Sequence, residues 1–134
     1  MGTWATGSFG NDGAGDWAIA MLENPTYDFL RQSLKDSIDN PDDTWTNEQS
    51  IAAAETVCIL YGHIPADYEE VKHNLEPAVE LLKQQVVPAD IKKLAIDCVE
   101  AVEKASMLKD TWEGDPDWEA EIKALKERLL QIIA

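Results

Sequence analysis

Three oxygen-bearing side chains near the start of the sequence could bind a hard cation. Asn11, Asp12 and Asp16 lie close together, and the two carboxylates are four residues apart, which places them on one face of a helix. Mg²⁺ and Ca²⁺ take about six oxygen ligands, however, and only these three are local. We therefore treat Asp12 and Asp16 as weak metal candidates and Asn11 or Asp12 as a helix N-cap. We expect no cofactor.

Other patterns that could support catalysis are incomplete. Glu70 and His73 form an E-x-x-H sequence, which is half of a di-iron motif, but His63 has no glutamate three residues before it. The sequence contains no G-x-S-x-G elbow for a nucleophilic serine. Cys58 and Cys98 lie within apolar helical patterns, which favours buried free thiols. The sequence thus offers no catalytic residue and favours a protein that is not an enzyme.

Acidic side chains concentrate at two places. One cluster surrounds a turn and comprises Asp36, Asp39, Asp42 and Asp43. The other combines acids with two tryptophans and comprises Trp112, Glu113, Asp115, Asp117, Trp118 and Glu119. An aromatic anchor with a charged rim is typical of a protein interface, although acids also favour helix N-termini. We interpret the second cluster as a candidate interaction surface.

The bulk charge limits the partners that the chain can take. The formal net charge is −15, and the acidic excess is spread over both halves of the sequence. Such a field repels nucleic-acid phosphates and anionic lipids, whereas it attracts a basic protein and also promotes solubility. No apolar run approaches the length of a membrane span, and no signal segment is recognisable. We therefore predict a cytoplasmic protein that binds neither nucleic acid nor membranes.

The periodicity of apolar residues predicts helices throughout and no strand. Residues 51–61 are apolar on nearly all sides, so we expect a central helix over about residues 47–62, begun by a capping box at Thr46 and Gln49. Helices are also predicted to start at Asn24-Pro25 and at Asp115-Pro116. Pro77 is expected to kink or break another helix. The fold class is therefore all-α.

We expect a single domain over residues 1–134, built as a compact bundle of about five to seven helices around the central one. An irregular N-terminal arm should pack on this bundle. The residues that we expect to form this packing motif are Trp4, Gly7, Phe9, Asn11, Asp12 and Trp17.

The N-terminal stretch resembles the start of a bacterial family, domain-of-unknown-function family 4259. The resemblance rests on Gly2-x-Trp4-x-Thr6-Gly7-x-Phe9-x-Asn11-Asp12-x-Ala14-x-Asp16-Trp17, and Ser106-Met107-Leu108 before Trp112 is similar to a later family pattern. Ala5 departs from the glycine that is usual in the family. The resemblance implies a helical fold and no known activity.

We therefore hypothesise a small protein that binds another protein, in its sharpest form an immunity- or antitoxin-like protein that neutralises a basic partner. One alternative is a metal-binding regulator or metal-dependent enzyme that uses Asp12 and Asp16. Another is a structural subunit that forms homo-oligomers.

Overall fold

The computed structural model of the chain describes residues 9–104, 106–112 and 115–133, and within these ranges it contains helices and no strand. One 3₁₀ turn covers Ala66–Glu70. The α-helices are α1 (Asp12–Glu23), α2 (Tyr27–Asp39), α3 (Thr44–Leu60), α4 (Lys72–Lys83), α5 (Ala89–Lys104), α6 (Met107–Thr111) and α7 (Pro116–Ile133). This confirms the predicted all-α helical bundle. In the described ranges, no helix is both long enough and apolar enough to cross a bilayer.

Two helix starts lie where the sequence predicts them. Asn11 caps α1, and its side-chain oxygen accepts a hydrogen bond of 2.7 Å from the backbone N–H of Ala14. The Asp115 carboxylate accepts hydrogen bonds from the backbone N–H groups of Asp117 and Trp118 at the start of α7. In both places a short polar side chain satisfies donors that a first helical turn leaves without partners.

Two other predicted starts are wrong. Thr26, not Asn24, caps α2 by accepting a hydrogen bond from the N–H of Phe29, so Pro25 lies before the helix. Asp43 caps α3 through the N–H of Thr46, which moves the start of this helix ahead of the predicted capping box. Each segment offers several competent caps, and the connection to the preceding helix decides which one is used.

Helix α3 is central, as predicted, and packs against all six other α-helices. Its surroundings are not purely apolar, because Asn47, Glu48 and Glu55 are also buried. The Asn47 amide donates to the Ser37 hydroxyl at 2.9 Å and accepts from the backbone N–H of Leu108 at 3.1 Å. This one side chain therefore joins α3 to α2 and to α6.

The apolar stripes predicted for the outer helices form most of the core. Helix α7 contributes Trp118, Ile122, Leu125 and Leu129, all buried, while Ile132 at its end is half-buried. In α2 the stripe ends early, because Ile38 lies in the last turn and is exposed. Pro77 does not break α4, which is continuous from Lys72 to Lys83.

The segment that leads into α1 is fixed by both apolar and polar contacts. Phe9 is buried beside the ring of Tyr68, and its backbone N–H donates to the Asp67 carboxylate at 2.8 Å. The Trp17 indole N–H donates to the Ser33 hydroxyl, also at 2.8 Å. Of the expected packing motif, Phe9, Asn11 and Trp17 are buried and Asp12 is exposed, while Trp4 and Gly7 lie outside the described residues.

Candidate functional site

The two aspartates considered as metal ligands lie on the surface of α1. Asp12 and Asp16 are both exposed, and the side-chain oxygen of Asn11 is already used to cap the helix. Across the part of the chain that the structure describes, no group of three or more His, Cys, Asp or Glu side chains could hold a metal ion. The local spacing of Asp12 and Asp16 is thus not completed by ligands from another described element.

Glu70 and His73 do not form a buried pair either. Glu70 ends the 3₁₀ turn, His73 lies in the first turn of α4, and both side chains are exposed. Di-iron carboxylate sites take their ligands from side chains that project into the interior of a bundle. The Glu70 and His73 side chains therefore lack the inward orientation of di-iron ligands.

Both cysteines are buried free thiols, as predicted. Burial raises the pKa of the Cys98 thiol to about 12. Burial also raises the pKa of the Cys58 thiol to about 12, and the nearby Glu55 carboxylate acts in the same direction. A thiol is nucleophilic as the thiolate, so neither cysteine has the electrostatic surroundings of a reactive one.

An ion pair lies below the surface between α3 and α7. One terminal nitrogen of Arg128, Nη2, lies 2.8 Å from each of the two Glu55 carboxylate oxygens. The Glu55 side chain is only 2% exposed. Neither the sequence pattern nor the helical periodicity indicates this pair, whose residues are 73 positions apart. Its geometry joins two helices and leaves the carboxylate inaccessible to a macromolecular partner.

The tryptophan-containing acidic cluster is only partly available as an interaction surface. Trp118 is a core residue with 4% exposure, so it cannot serve as an exposed anchor. Trp112 is half-buried, and Asp115 uses its carboxylate to cap α7. Asp117 and Glu119 are exposed, whereas Glu113 lies outside the described residues. The sequence correctly places Trp118 in the stripe of α7, and that placement removes it from the surface.

The first acidic cluster has the exposed aromatic side chain that the second lacks. We call this surface the acidic corner, and it comprises Asp36, Asp39, Asp42, Asp43 and Trp45. The carboxylates lie at the end of α2 and in the connection to α3, and Trp45 follows in the first turn of α3. The Trp45 side chain is 42% exposed. A large aromatic group is therefore accessible in the same short segment as four exposed carboxylates.

Lys35 immediately precedes the acidic corner, but no base follows within it. Residues 36–71 contain no lysine or arginine. Among the described residues, no ion pair involves any of the four carboxylates. Asp36 accepts a hydrogen bond from the Gln32 amide and Asp43 one from the Thr46 hydroxyl, both of which leave the negative charge in place.

The face between α2 and α5 shows the opposite arrangement. Arg31 lies 2.7 Å from a carboxylate oxygen of Asp90 and 2.8 Å from one of Asp28, and Lys93 lies 3.1 Å from Asp97. The hydrogen bond from Arg31 lowers the pKa of Asp90. Acids on this face are matched by bases, so the uncompensated charge of the acidic corner is a local property.

Helix α1 brings a further carboxylate towards the corner. Gly13 is buried against α3, and a methyl group in place of its hydrogen would lie 3.4 Å from the Trp45 carbonyl oxygen. Its neighbour Asp12 is exposed, and consecutive Cα atoms are about 3.8 Å apart. Asp12 is therefore a further exposed carboxylate on the helix that contacts the first turn of α3.

Sequence reasoning did not identify Trp45 as an exposed aromatic residue. The available signal is its position directly after a turn rich in aspartate, ahead of the apolar run of α3. Its exposure depends on the start of α3 at Thr44, one turn earlier than the periodicity predicts.

Comparison with known proteins gives a family without a described activity. A family model described as "Domain of unknown function (DUF4259)" matches residues 2–124. No curated protein and no solved structure matches the chain.

Proposed function

Because the chain belongs to domain-of-unknown-function family 4259, whose description assigns no activity, we propose a function from the geometry of its own surface. The protein is a small, acidic, non-enzymatic binding protein that docks a basic protein through the acidic corner. In its sharpest form this is immunity- or antitoxin-like neutralisation of that partner in the bacterial cytoplasm.

The observation that carries this proposal is the exposed indole of Trp45 in the same segment as four exposed aspartates, none of which forms an ion pair in the described structure. Tryptophan and arginine are the residues most often found at the energetic centres of protein interfaces. An unpaired acidic surface attracts a basic surface, accelerates the encounter and disfavours acidic competitors. The corner therefore suits a partner that presents arginine or lysine side chains around a pocket for one indole.

The same surface is unsuited to the excluded partners. Nucleic-acid binding depends on lysine and arginine contacts to phosphate, and residues 36–71 supply none. Exposed Asp39, Asp42 and Asp43 would repel a membrane that carries anionic lipid.

The experiment begins with capture of partners from a lysate of the native host by the tagged full-length chain at low salt. A retained protein qualifies only if it is basic and is released by high salt. It is then purified, and its Kd for the chain is measured by isothermal titration calorimetry. Capture alone does not support the proposal, because a chain with a net charge of −15 also binds bases nonspecifically.

Two charge-reversal variants locate the surface. Asp39→Lys with Asp42→Lys alters the acidic corner, whereas Asp117→Lys with Glu119→Lys alters the other acidic cluster by the same number of charges. All four side chains are exposed, so both variants should fold. We expect the first variant to weaken binding at least about tenfold at low salt and the second to change it by less than about threefold.

Trp45→Ala tests the anchor without changing the charge. Truncation of a central aromatic residue costs about 2 kcal/mol or more of binding energy, which is about a thirtyfold increase in Kd. Equal weakening by the two charge reversals would reduce the proposal to a nonspecific field. Weakening by the Asp117 and Glu119 variant alone would move the interface to that cluster. A self-associated chain in sedimentation, with no basic partner, would favour the homo-oligomer hypothesis instead.

A further inference from the structure

A cleft lies where α5, α6 and α7 meet, on a part of the surface that the proposed function does not use. Its volume is about 290 Å³, close to the lower limit of pockets that bind small molecules. The described residues that line it are Glu103, Lys109, Trp118, Glu119, Ile122 and Lys123. The cleft is therefore large enough for a molecule with a single ring or a short aliphatic chain.

The apolar part of the lining comes from α7. Trp118 and Ile122 are four residues apart, lie on one face of the helix, and are almost fully buried. They leave only an edge of apolar surface for a ligand. A compact apolar group on this edge would lose its contact with water, which is the main source of affinity for small molecules in such sites.

The polar part of the lining consists of two lysines and two glutamates, which differ in the contacts they already make. The Glu103 carboxylate is already paired with Lys126, whose ammonium lies at 2.7 Å. The Lys109 ammonium donates one hydrogen bond of 3.0 Å to the Lys104 carbonyl, which leaves two of its three protons for another acceptor. Because the carbonyl group is uncharged, this hydrogen bond leaves the positive charge of Lys109 in place.

Lys123 is also available. It lies four residues after Glu119, a spacing that often gives an ion pair on a helix, yet these two residues are not among the ion pairs of the described chain. Two lysines thus line the cleft against the one unpaired carboxylate of Glu119. These two ammonium groups stand out on a molecule whose net charge is −15.

We propose that this cleft binds a small amphipathic carboxylate. The apolar body of the ligand lies on Trp118 and Ile122, and its carboxylate accepts hydrogen bonds from Lys109 and Lys123. Charge-assisted hydrogen bonds to two ammonium groups select an anion over a neutral or cationic molecule of the same shape. This site is independent of the acidic corner and remains whether or not a protein partner binds there.

The test uses three probes that share one ring and differ in charge: benzoate, benzyl alcohol and benzylammonium. Each is titrated into the isotope-labelled full chain while NMR follows the Ile122 methyl group and the Trp118 indole N–H. We expect saturable shifts with benzoate and a Kd of about 1 mM or tighter, which suits a ligand of this size. The other two probes should bind at least about tenfold more weakly.

Lys123→Glu should weaken benzoate binding about tenfold or more, because it replaces a donor with a repelling charge. Lys93→Glu is the matched control, since it makes the same charge change on an exposed side chain of α5 about 15 Å along the helix from Glu103. The control should change the Kd by less than about twofold, because salt screens the ligand from a charge at this distance. The spectra of both variants report whether they are folded.

Three results would overturn the proposal. The first is the absence of saturable shifts with benzoate up to about 10 mM, since tighter binding is expected for this ligand size. The second is equal or tighter binding of benzylammonium. The third is an equal effect of the two lysine substitutions, which would attribute any binding to the general field.

Discussion

At the scale of single residues, breaking the Glu55–Arg128 pair is expected to cost more stability than breaking an exposed ion pair. Arg128→Met removes the guanidinium that lies 2.8 Å from the Glu55 carboxylate, a side chain that is 2% exposed. Removal of one partner of a buried ion pair costs about 3–5 kcal/mol. The Nε of Arg128 is buried without a hydrogen-bond partner in the described structure, and its removal offsets part of that cost. We expect the free energy of unfolding, measured with urea, to fall by about 3 kcal/mol.

The pair formed by Lys126 and Glu103 provides the control. It has a similar separation of 2.7 Å, but its side chains are 25% and 34% exposed, so water screens the charges in both states. Lys126→Met should cost less than about 1 kcal/mol. Equal losses for the two variants would contradict the view that burial of Glu55 determines the difference.

The sequence predicts some of these residue roles and not others. Asn11 can be predicted as a cap because its partner, the N–H of Ala14, is three residues away. The role of Glu55 depends on Arg128 in another helix, so no local pattern contains it. The role of Trp45 can be predicted only in part. The sequence shows the acidic turn before it, but the exposure of its side chain depends on where α3 begins.

At the scale of elements, the approach of α1 to α3 depends on Gly13. A methyl group at this position would lie 2.8 Å from Cβ of Glu48, an atom held by the backbone of α3. Contact this short requires the two helices to move apart, and overpacking of this kind costs about 1–3 kcal/mol. We expect Gly13→Ala to lower the free energy of unfolding, measured with urea, by about 1–3 kcal/mol.

Gly15 in the same helix provides an opposite expectation. A methyl group placed there would have no heavy atom within 4 Å, apart from the two adjacent residues and the nearby backbone of its own helix. Gly15→Ala should therefore stabilise the protein by about 0.5–1 kcal/mol, because alanine loses less backbone entropy in a helix. A stabilising effect of both substitutions would show that α1 is not closely packed on α3 at Gly13.

The sequence predicts where helices lie better than where they end, because many residues define a stripe and one residue defines a cap. A stripe such as Ile91, Ala95 and Cys98 repeats over several turns, and its residues are buried. A helix end depends on one cap among several candidates, as with Asn24 and Thr26. The predicted break at Pro77 does not occur, because this exposed residue lies in a helix that the core holds through Leu75, Ala78 and Val79.

At the scale of the whole molecule, the basic residues are unevenly distributed among the acidic ones. Residues 1–30 and 36–71 contain no lysine or arginine, whereas the ion pairs of the described chain draw their bases from α2, α4, α5 and α7. The amino-acid composition gives the total charge, but only the fold shows that α1 and the acidic corner lie together. Repulsion within this region opposes the folded state, which holds the charges closer than the unfolded chain does.

Salt should therefore stabilise this protein while it weakens the proposed complex. Raising NaCl from about 0.05 to 0.5 M shortens the screening length from more than 10 Å to a few ångströms, which reduces repulsion among surface carboxylates. We expect the midpoint of thermal unfolding to rise by about 5 °C. The variant with Asp39→Lys and Asp42→Lys has a formal net charge of −11 instead of −15, since each substitution changes the charge by two. Calorimetry should show a higher midpoint for this variant at low salt and a smaller increase with NaCl. An equal increase for both proteins would mean that the acidic corner adds no repulsion of its own, and that its charge could then be maintained without cost to folding.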